Sequence, residues 1–187
     1  MLSCCAASEK KIYISLGGDC AVAYWLGKLG LRQYAFPFDW VKSDIFNIIK
    51  VIETKFHFFF NSVKIVEIEN LKFPVIDEDW EENIMNTYKI ETDCFIFPHD
   101  KIEDFKEKYE RRIKRFYEIL EDDTIKKIFI RVSKKDETKE IIELNSVIKK
   151  ICNNFVIKTC IYKEKDSWKK EKLDWKKLFI DDDDEEI

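Results

Sequence analysis

A chain of 187 residues is long enough for one domain whose core needs neither disulfides nor metals. Hydrophobic residues make up 45%, which excludes wholesale disorder. Charged residues reach 37% but nearly cancel to a net of -4, so the chain lacks the electrostatic footprint of a general nucleic-acid binder.

The cysteines, Cys4, Cys5, Cys20, Cys94, Cys152 and Cys160, form no C-x-x-C pair and no Cys/His cluster with zinc-ligand spacing. Reduced thiols are therefore expected, with no metal or other cofactor. Met1 to Lys11 lacks the basic-then-apolar order of a secretory signal, and no apolar run reaches membrane-spanning length. The expected compartment is the cytoplasm (of the host, for a viral chain), with no membrane partner. Palmitoylation of Cys4 and Cys5 would lack an adjacent basic or hydrophobic anchor.

Short strands and amphipathic helices alternate along the chain. Lys11 to Leu16 reads as a strand ended by Gly17-Gly18. Asp19 can cap a helix through Ala21, Ala23, Leu26 and Leu29, stopped by Gly30. Ala35 to Trp40, containing Pro37, reads as an extended connection. Ser43 is a plausible N-cap for a helix with Ile45, Ile48, Ile49, Ile52 and Phe56 on one face. Val63 to Ile68 alternates as a strand, and Lys72 to Trp80 reads as a loop. Cys94 to Phe97 is a short apolar strand ended by Pro98-His99-Asp100. Asp100 and Glu103 form a capping box, which starts a helix at Lys101. Its apolar stripe is Ile102, Phe105, Tyr109, Ile113, Phe116 and Leu120. Ile128 to Val132 is another strand, Glu137 to Ile151 a helix, and Phe155 to Tyr162 a last strand.

This alternation predicts an α/β fold, a mostly parallel sheet of about five strands with helices on both faces. Residues 1–180 read as a single domain. The run from Asp181 to Glu186 is too charged to pack, so 181–187 reads as an acidic flexible tail.

The sharpest local feature is Ser15-Leu16-Gly17-Gly18-Asp19-Cys20, a strand leading through two glycines into a helix that opens on a cysteine. Unpaired N–H groups and the positive dipole end at such a helix start lower a thiol's pKa, and could hold an oxyanion together with the Gly17 and Gly18 backbone. The same pattern suits a small buried residue at a strand–helix junction. A thiolate hydrolase needs a base, and the chain has two histidines. His57 sits among phenylalanines at a helix end or core edge, whereas His99 directly follows a buried strand. In a parallel sheet, Cys20 and His99 would both lie beyond the carboxyl ends of their strands, on the rim where ligands bind. Asp39 is the favoured third member, with Asp100 as the alternative. Arg32 is a competing partner for Asp39, and N-capping competes for Asp100.

Arg111, Arg112 and Arg115 beside Lys114 read as a solvated helix face. Gly17-Gly18 lacks the rest of a dinucleotide fingerprint or P-loop. The order also suits small esterases with serine at the nucleophile position, but no D-x-x-H pair lies near the C-terminus.

Ser15-Leu16-Gly17-Gly18-Asp19-Cys20, Ala23, Leu26, Leu29-Gly30-Leu31-Arg32 and Pro37-Phe38-Asp39-Trp40 resemble the opening of the putative papain-like cysteine peptidases of bacteria and large DNA viruses. Phe97-Pro98-His99-Asp100, the helix containing Tyr109, Arg111-Arg112 and Arg115-Phe116, and Phe129-Ile130-Arg131 are similar to its later blocks. The resemblance implies a Cys nucleophile at Cys20 and a His base at His99, with a papain-like α+β architecture as the alternative fold. The expected activity is cysteine-dependent hydrolysis or acyl transfer on a peptide or other carbonyl substrate. Two further readings stay open: a non-catalytic module for a protein partner, and a transferase binding a phosphorylated or sugar ligand at the Gly-Gly turn.

Overall fold

The computed structural model describes residues 9–68, 73–74, 85–163 and 167–180. In chain order these form β1 (Lys10–Ser15), α1 (Ala21–Lys28), β2 (Lys42–Ser43), α2 (Ile45–Glu53), β3 (Lys64–Glu67), β4 (Phe73–Pro74) and β5 (Met85–Asn86). Then come β6 (Tyr88–Glu91), β7 (Phe95–Phe97), α3 (Phe105–Leu120), β8 (Ile125–Ser133), α4 (Thr138–Lys149), β9 (Phe155–Ile161) and α5 (Trp175–Ile180). Most of the expected loop at Lys72 to Trp80, the tail at 181–187, and Cys4 and Cys5 lie outside the described residues.

The mixed α/β class is as expected, but the single parallel sheet is not. β1, β8 and β9 form a three-stranded parallel sheet in the order β1-β8-β9. A second, four-stranded sheet in the order β2-β7-β6-β3 is antiparallel throughout. β4 and β5 pair separately. The physical reason is β6. Its four residues alternate Tyr88 and Ile90 with Lys89 and Glu91, which pair with each other at 2.7 Å. Only three residues join Glu91 of β6 to Phe95 of β7, which is enough for a hairpin and too few for the crossover that a parallel pair requires. The main core cluster draws on both sheets, with Ile12 and Ile14 of β1, Ile90 of β6, Phe95 and Phe97 of β7, and Phe129 of β8.

Other local expectations also shift. Residues 37–40 form a turn rather than an extended connection, with the Asp39 N–H donating to the Phe36 carbonyl at 3.2 Å. Asp44, not Ser43, caps α2, accepting from the Phe46 N–H at 3.0 Å. α3 starts at Phe105 and not at Lys101, and its buried stripe includes Lys108 and Arg112. Arg112 is therefore core, lying over the Tyr109 ring, whereas Arg111 and Lys114 are exposed as expected. Arg115 packs on Tyr34 and donates to the Ala35 carbonyl.

Candidate functional site

The Cys20 arm begins where the parallel ladder ends. The Leu16 N–H donates to the Ile130 carbonyl at 2.8 Å, and the chain then turns through Gly17 at φ +65 and Gly18 at φ +91. Both positions demand glycine. They lie in the left-handed region, a Cβ on Gly17 would collide with the Ser43 hydroxyl, and one on Gly18 would sit 2.5 Å from the Val132 carbonyl oxygen. The Gly17 N–H donates to Ser15 Oγ at 3.2 Å and the Gly18 N–H to Ser43 Oγ at 3.0 Å. The two amides expected to face an oxyanion are thus engaged by hydroxyls. Asp19 Oδ1 accepts from the Ala21 N–H at 2.9 Å, and Cys20 occupies the N-cap of α1.

Arg131 of β8 braces this turn from beneath. Its guanidinium binds Glu137 through both oxygens at 2.6 and 2.9 Å, donates to the Leu16 carbonyl at 2.9 Å and reaches the Ser43 carbonyl at 3.5 Å. One buried group therefore ties the end of β1 to β2, which joins the two sheets next to Cys20. A fork of fixed N–H directions suits this multiple role better than an ammonium would.

The His99 arm leaves β7 through Pro98. Buried Asn86 donates to the carbonyls of Pro98 and Asp100 at 3.3 and 2.9 Å, clamping the backbone on either side of His99. The Asp100 carboxylate binds Lys108 Nζ and accepts from the Tyr109 hydroxyl, both at 3.0 Å. Asp100 is therefore not the N-cap of α3, because a buried ion pair with the first turns of that helix claims it. Trp40 packs edge-on against His99, with ring centroids 5.6 Å apart, and holds a left-handed φ of 61. A bulky residue there is strained by an amount of order 1–3 kcal/mol, sustained by the surrounding turn. Asp39 fixes that turn, since its Oδ2 accepts from Arg32 Nε and from the Phe36 N–H at 3.3 and 3.1 Å.

These two arms bring Cys20 Sγ within 3.3 Å of His99 Nε2, across 79 residues of sequence. The residues are 8% and 7% exposed, so the pair is nearly enclosed. The expected shared rim of one parallel sheet does not exist. Cys20 follows a strand of the parallel sheet and His99 a strand of the antiparallel one, and the site lies at their junction.

The expected lowering of the Cys20 pKa is also reversed. Burial pushes the thiol up to about 12, and the negative charge of Asp19 adds to this. Lys42 opposes it, Asp100 reinforces it, and Lys170 opposes it. The dipole of an eight-residue helix is a small term beside such desolvation.

Sequence reasoning missed Ser43, Asn86, Arg131 and Lys170. Arg131 carried a signal, being a charged residue inside an apolar strand that cannot be buried without a partner. His57, the other histidine, is exposed and packs on Phe58.

An open groove of about 500 Å³ begins at Gly18, Lys42 and Ser43 and runs past Asn47 to Thr92 and Cys94. Among the described residues no group of three or more His, Cys, Asp or Glu could hold a metal ion, and no helix is long and apolar enough to cross a membrane.

An uncharacterized protein of Acanthamoeba polyphaga mimivirus is 34% identical to this chain, over 80% of it and 76% of the viral protein. Residues 11–162, which hold both arms of the site, match the family described as "Putative papain-like cysteine peptidase", and the chain belongs to that family.

Proposed function

We propose that the protein is a thiol-dependent hydrolase or acyl-transfer enzyme acting on a peptide, isopeptide or related carbonyl, with Cys20 as nucleophile and His99 as base. The observation that carries this reading is the 3.3 Å approach of Sγ to Nε2 between residues that follow strands of different sheets. Cys20 and His99 both pack on Trp40, and beyond that packing the thiol is aimed at a ring nitrogen, the geometry that a nucleophile and its base require.

With its proton on Nδ1, His99 accepts the Cys20 S–H at Nε2. As Sγ bonds to the substrate carbonyl carbon, that proton passes to Nε2 and the carbonyl becomes an oxyanion. The oxyanion is held by the Cys20 amide, because Gly17, Gly18 and Ala21 have spent theirs on Ser15, Ser43 and Asp19. Collapse breaks the bond to the amine, which leaves with the proton from His99. Water, or an acceptor nucleophile, then attacks the thioester with His99 again as base, which releases the acyl product and the Cys20 thiol. A neutral resting thiol suits this route, in which proton transfer accompanies attack.

The dyad suffices for these steps. Asp39 contributes as a positioning residue, through the turn that sets Trp40 against His99. Asp100 contributes through its ion pair beside the His99 loop. The transferase reading is less well supported, because the Gly-Gly turn packs on Ser43 and Val132 and its amides are taken. The low exposure of Cys20 keeps a non-catalytic partner-binding role as the second reading.

The test is trapping by a peptide aldehyde, followed by mass spectrometry, alongside cleavage of a mixed peptide library. Adduct formation at Cys20, lost in Cys20→Ala and reduced at least about a hundredfold in His99→Ala, is expected. Cleavage by Cys20→Ala at the wild-type rate would sink the reading.

A further inference from the structure

Beyond the family match, which ends at residue 162, residues 167–175 cross the start of α1 and bring a cation to the site. The Trp25 indole N–H donates to the Lys169 carbonyl at 2.6 Å, and the Trp175 indole N–H to the Lys170 carbonyl at 2.8 Å. The Trp25 and Trp175 rings stack at 5.7 Å. Between these fastenings Lys170 takes a left-handed φ of 51, and its side chain turns inward to 5% exposure. Its Nζ lies 3.4 Å from Asp19 Oδ2, 4.2 Å from the Tyr162 ring centroid and 2.9 Å from the Ser167 carbonyl oxygen.

A buried, strained lysine is costly unless its charge serves a partner. That partner is Asp19, the residue before Cys20. Asp19 Oδ2 also accepts from the Tyr162 hydroxyl at 3.2 Å, while Oδ1 holds the Ala21 N–H. Asp19 is thus fixed in place as part of the helix start and carries a negative charge beside the thiol. Without Lys170, that charge would oppose any negative charge developing on Sγ.

We infer that Lys170 is a positioning residue for Cys20, acting through Asp19: it neutralises the carboxylate that shapes the start of α1, so that the helix start keeps its geometry without repelling a thiolate. The inference rests on Cys20 being the nucleophile. The charged and titratable groups facing the thiol are His99, Asp19 and Lys170, with Lys42 from β2 and Asp100 from the loop after β7. Burial dominates the direction of the Cys20 pKa and Asp19 comes next; Lys42 is the stronger opposing cation and Lys170 opposes it more weakly, its direct contact being with Asp19.

The experiment is the rate of iodoacetamide labelling at Cys20 between pH 7.5 and 10, read by peptide mass spectrometry, with thermal unfolding as a check on folding. Lys170→Met should move the rate profile up by about 0.3–0.5 of a pH unit, about two- to threefold slower labelling at fixed pH. Lys170→Arg should stay near wild type, and adding Asp19→Asn to Lys170→Met should restore the rate. Wild-type labelling in Lys170→Met, or no restoration by Asp19→Asn, would overturn the inference. Asp19→Asn alone keeps the acceptor for Ala21 and should label faster than wild type. An unchanged rate there would overturn it equally, even if Lys170→Met fails to fold. Peptide cleavage is scored separately. Shifted labelling in a protein that cleaves nothing would support the role of Lys170 while removing the hydrolase reading. Unshifted labelling in an active protein would remove Lys170 alone.

Discussion

Cys20 Sγ and His99 Nε2 meet at 3.3 Å although one side chain follows a parallel strand and the other an antiparallel one. What makes the meeting possible is the seam between the sheets. Ser43 binds the Gly18 amide, and Arg131 joins the Leu16 carbonyl to Glu137. The site therefore depends on groups that touch neither the thiol nor the imidazole.

Burial of Cys20 makes its resting state a neutral thiol. Iodoacetamide labelling should be slow at pH 7 and should keep rising through pH 10 without levelling, as a thiol pushed up to about 12 dictates. A plateau reached by pH 7 would show a preformed thiolate–imidazolium pair instead, and with it a different order of proton transfer.

Gly18 is irreplaceable for steric reasons, and a second glycine provides the control. Gly18→Ala forces a Cβ against the Val132 carbonyl at a φ of +91, at a cost of about 3 kcal/mol, or a Tm lower by about 10 °C. A Cβ added at Gly27 in α1 would meet nothing within 4 Å, so Gly27→Ala should stabilise by up to about 1 kcal/mol. Differential scanning calorimetry on the two variants decides the matter, and equal melting temperatures would refute it.

Both arms of the site were legible because each rests on a local pattern. Two glycines after an apolar strand announce a tight turn, and an apolar run before Pro98 announces a strand end. Their relative placement was not legible, since it depends on β6, whose Tyr88/Ile90 alternation is only four residues long and does not say which strand it pairs with. Asp100 shows how local signals lose. Its capping box with Glu103 is a sound helix start, but a buried ion pair with Lys108 outweighs one exposed cap. The Cys20 pKa failed for a related reason, because desolvation is a property of the packed molecule and the helix start is visible in the chain. α5 was missed because it is six residues long, although Trp175 and Phe179 already sit one helical turn apart.

Alkaline stability follows from the same burial. The folded-state pKa of Cys20 is raised from the ordinary 9.0 to about 12, so the unfolded chain gives up this proton first. The stability it contributes is intact below pH 9 and is lost as pH rises toward 12, at up to about 1.4 kcal/mol per pH unit. Urea unfolding between pH 8 and 10.5 should therefore fall less steeply in Cys20→Ala than in wild type. The other raised thiols, Cys94, Cys152 and Cys160, are common to both proteins and cancel in the comparison. Parallel slopes would contradict the burial argument.

Asp39 and Asp100 can be told apart as supports for His99. Asp39→Asn keeps an oxygen for the Phe36 amide but drops the charge facing Arg32, whose side chain is 12% exposed, so a loss of about 1–2 kcal/mol is expected. Asp100→Asn removes the carboxylate that binds buried Lys108 and accepts from the Tyr109 hydroxyl, and the expected loss is larger, about 3–5 kcal/mol. If Asp39 acts only through the Trp40 turn, then Trp40→Ala should slow adduct formation at Cys20 as much as Asp39→Asn does, and the double variant should be no slower than either. Additive losses in that cycle would instead give Asp39 a direct hold on the imidazole.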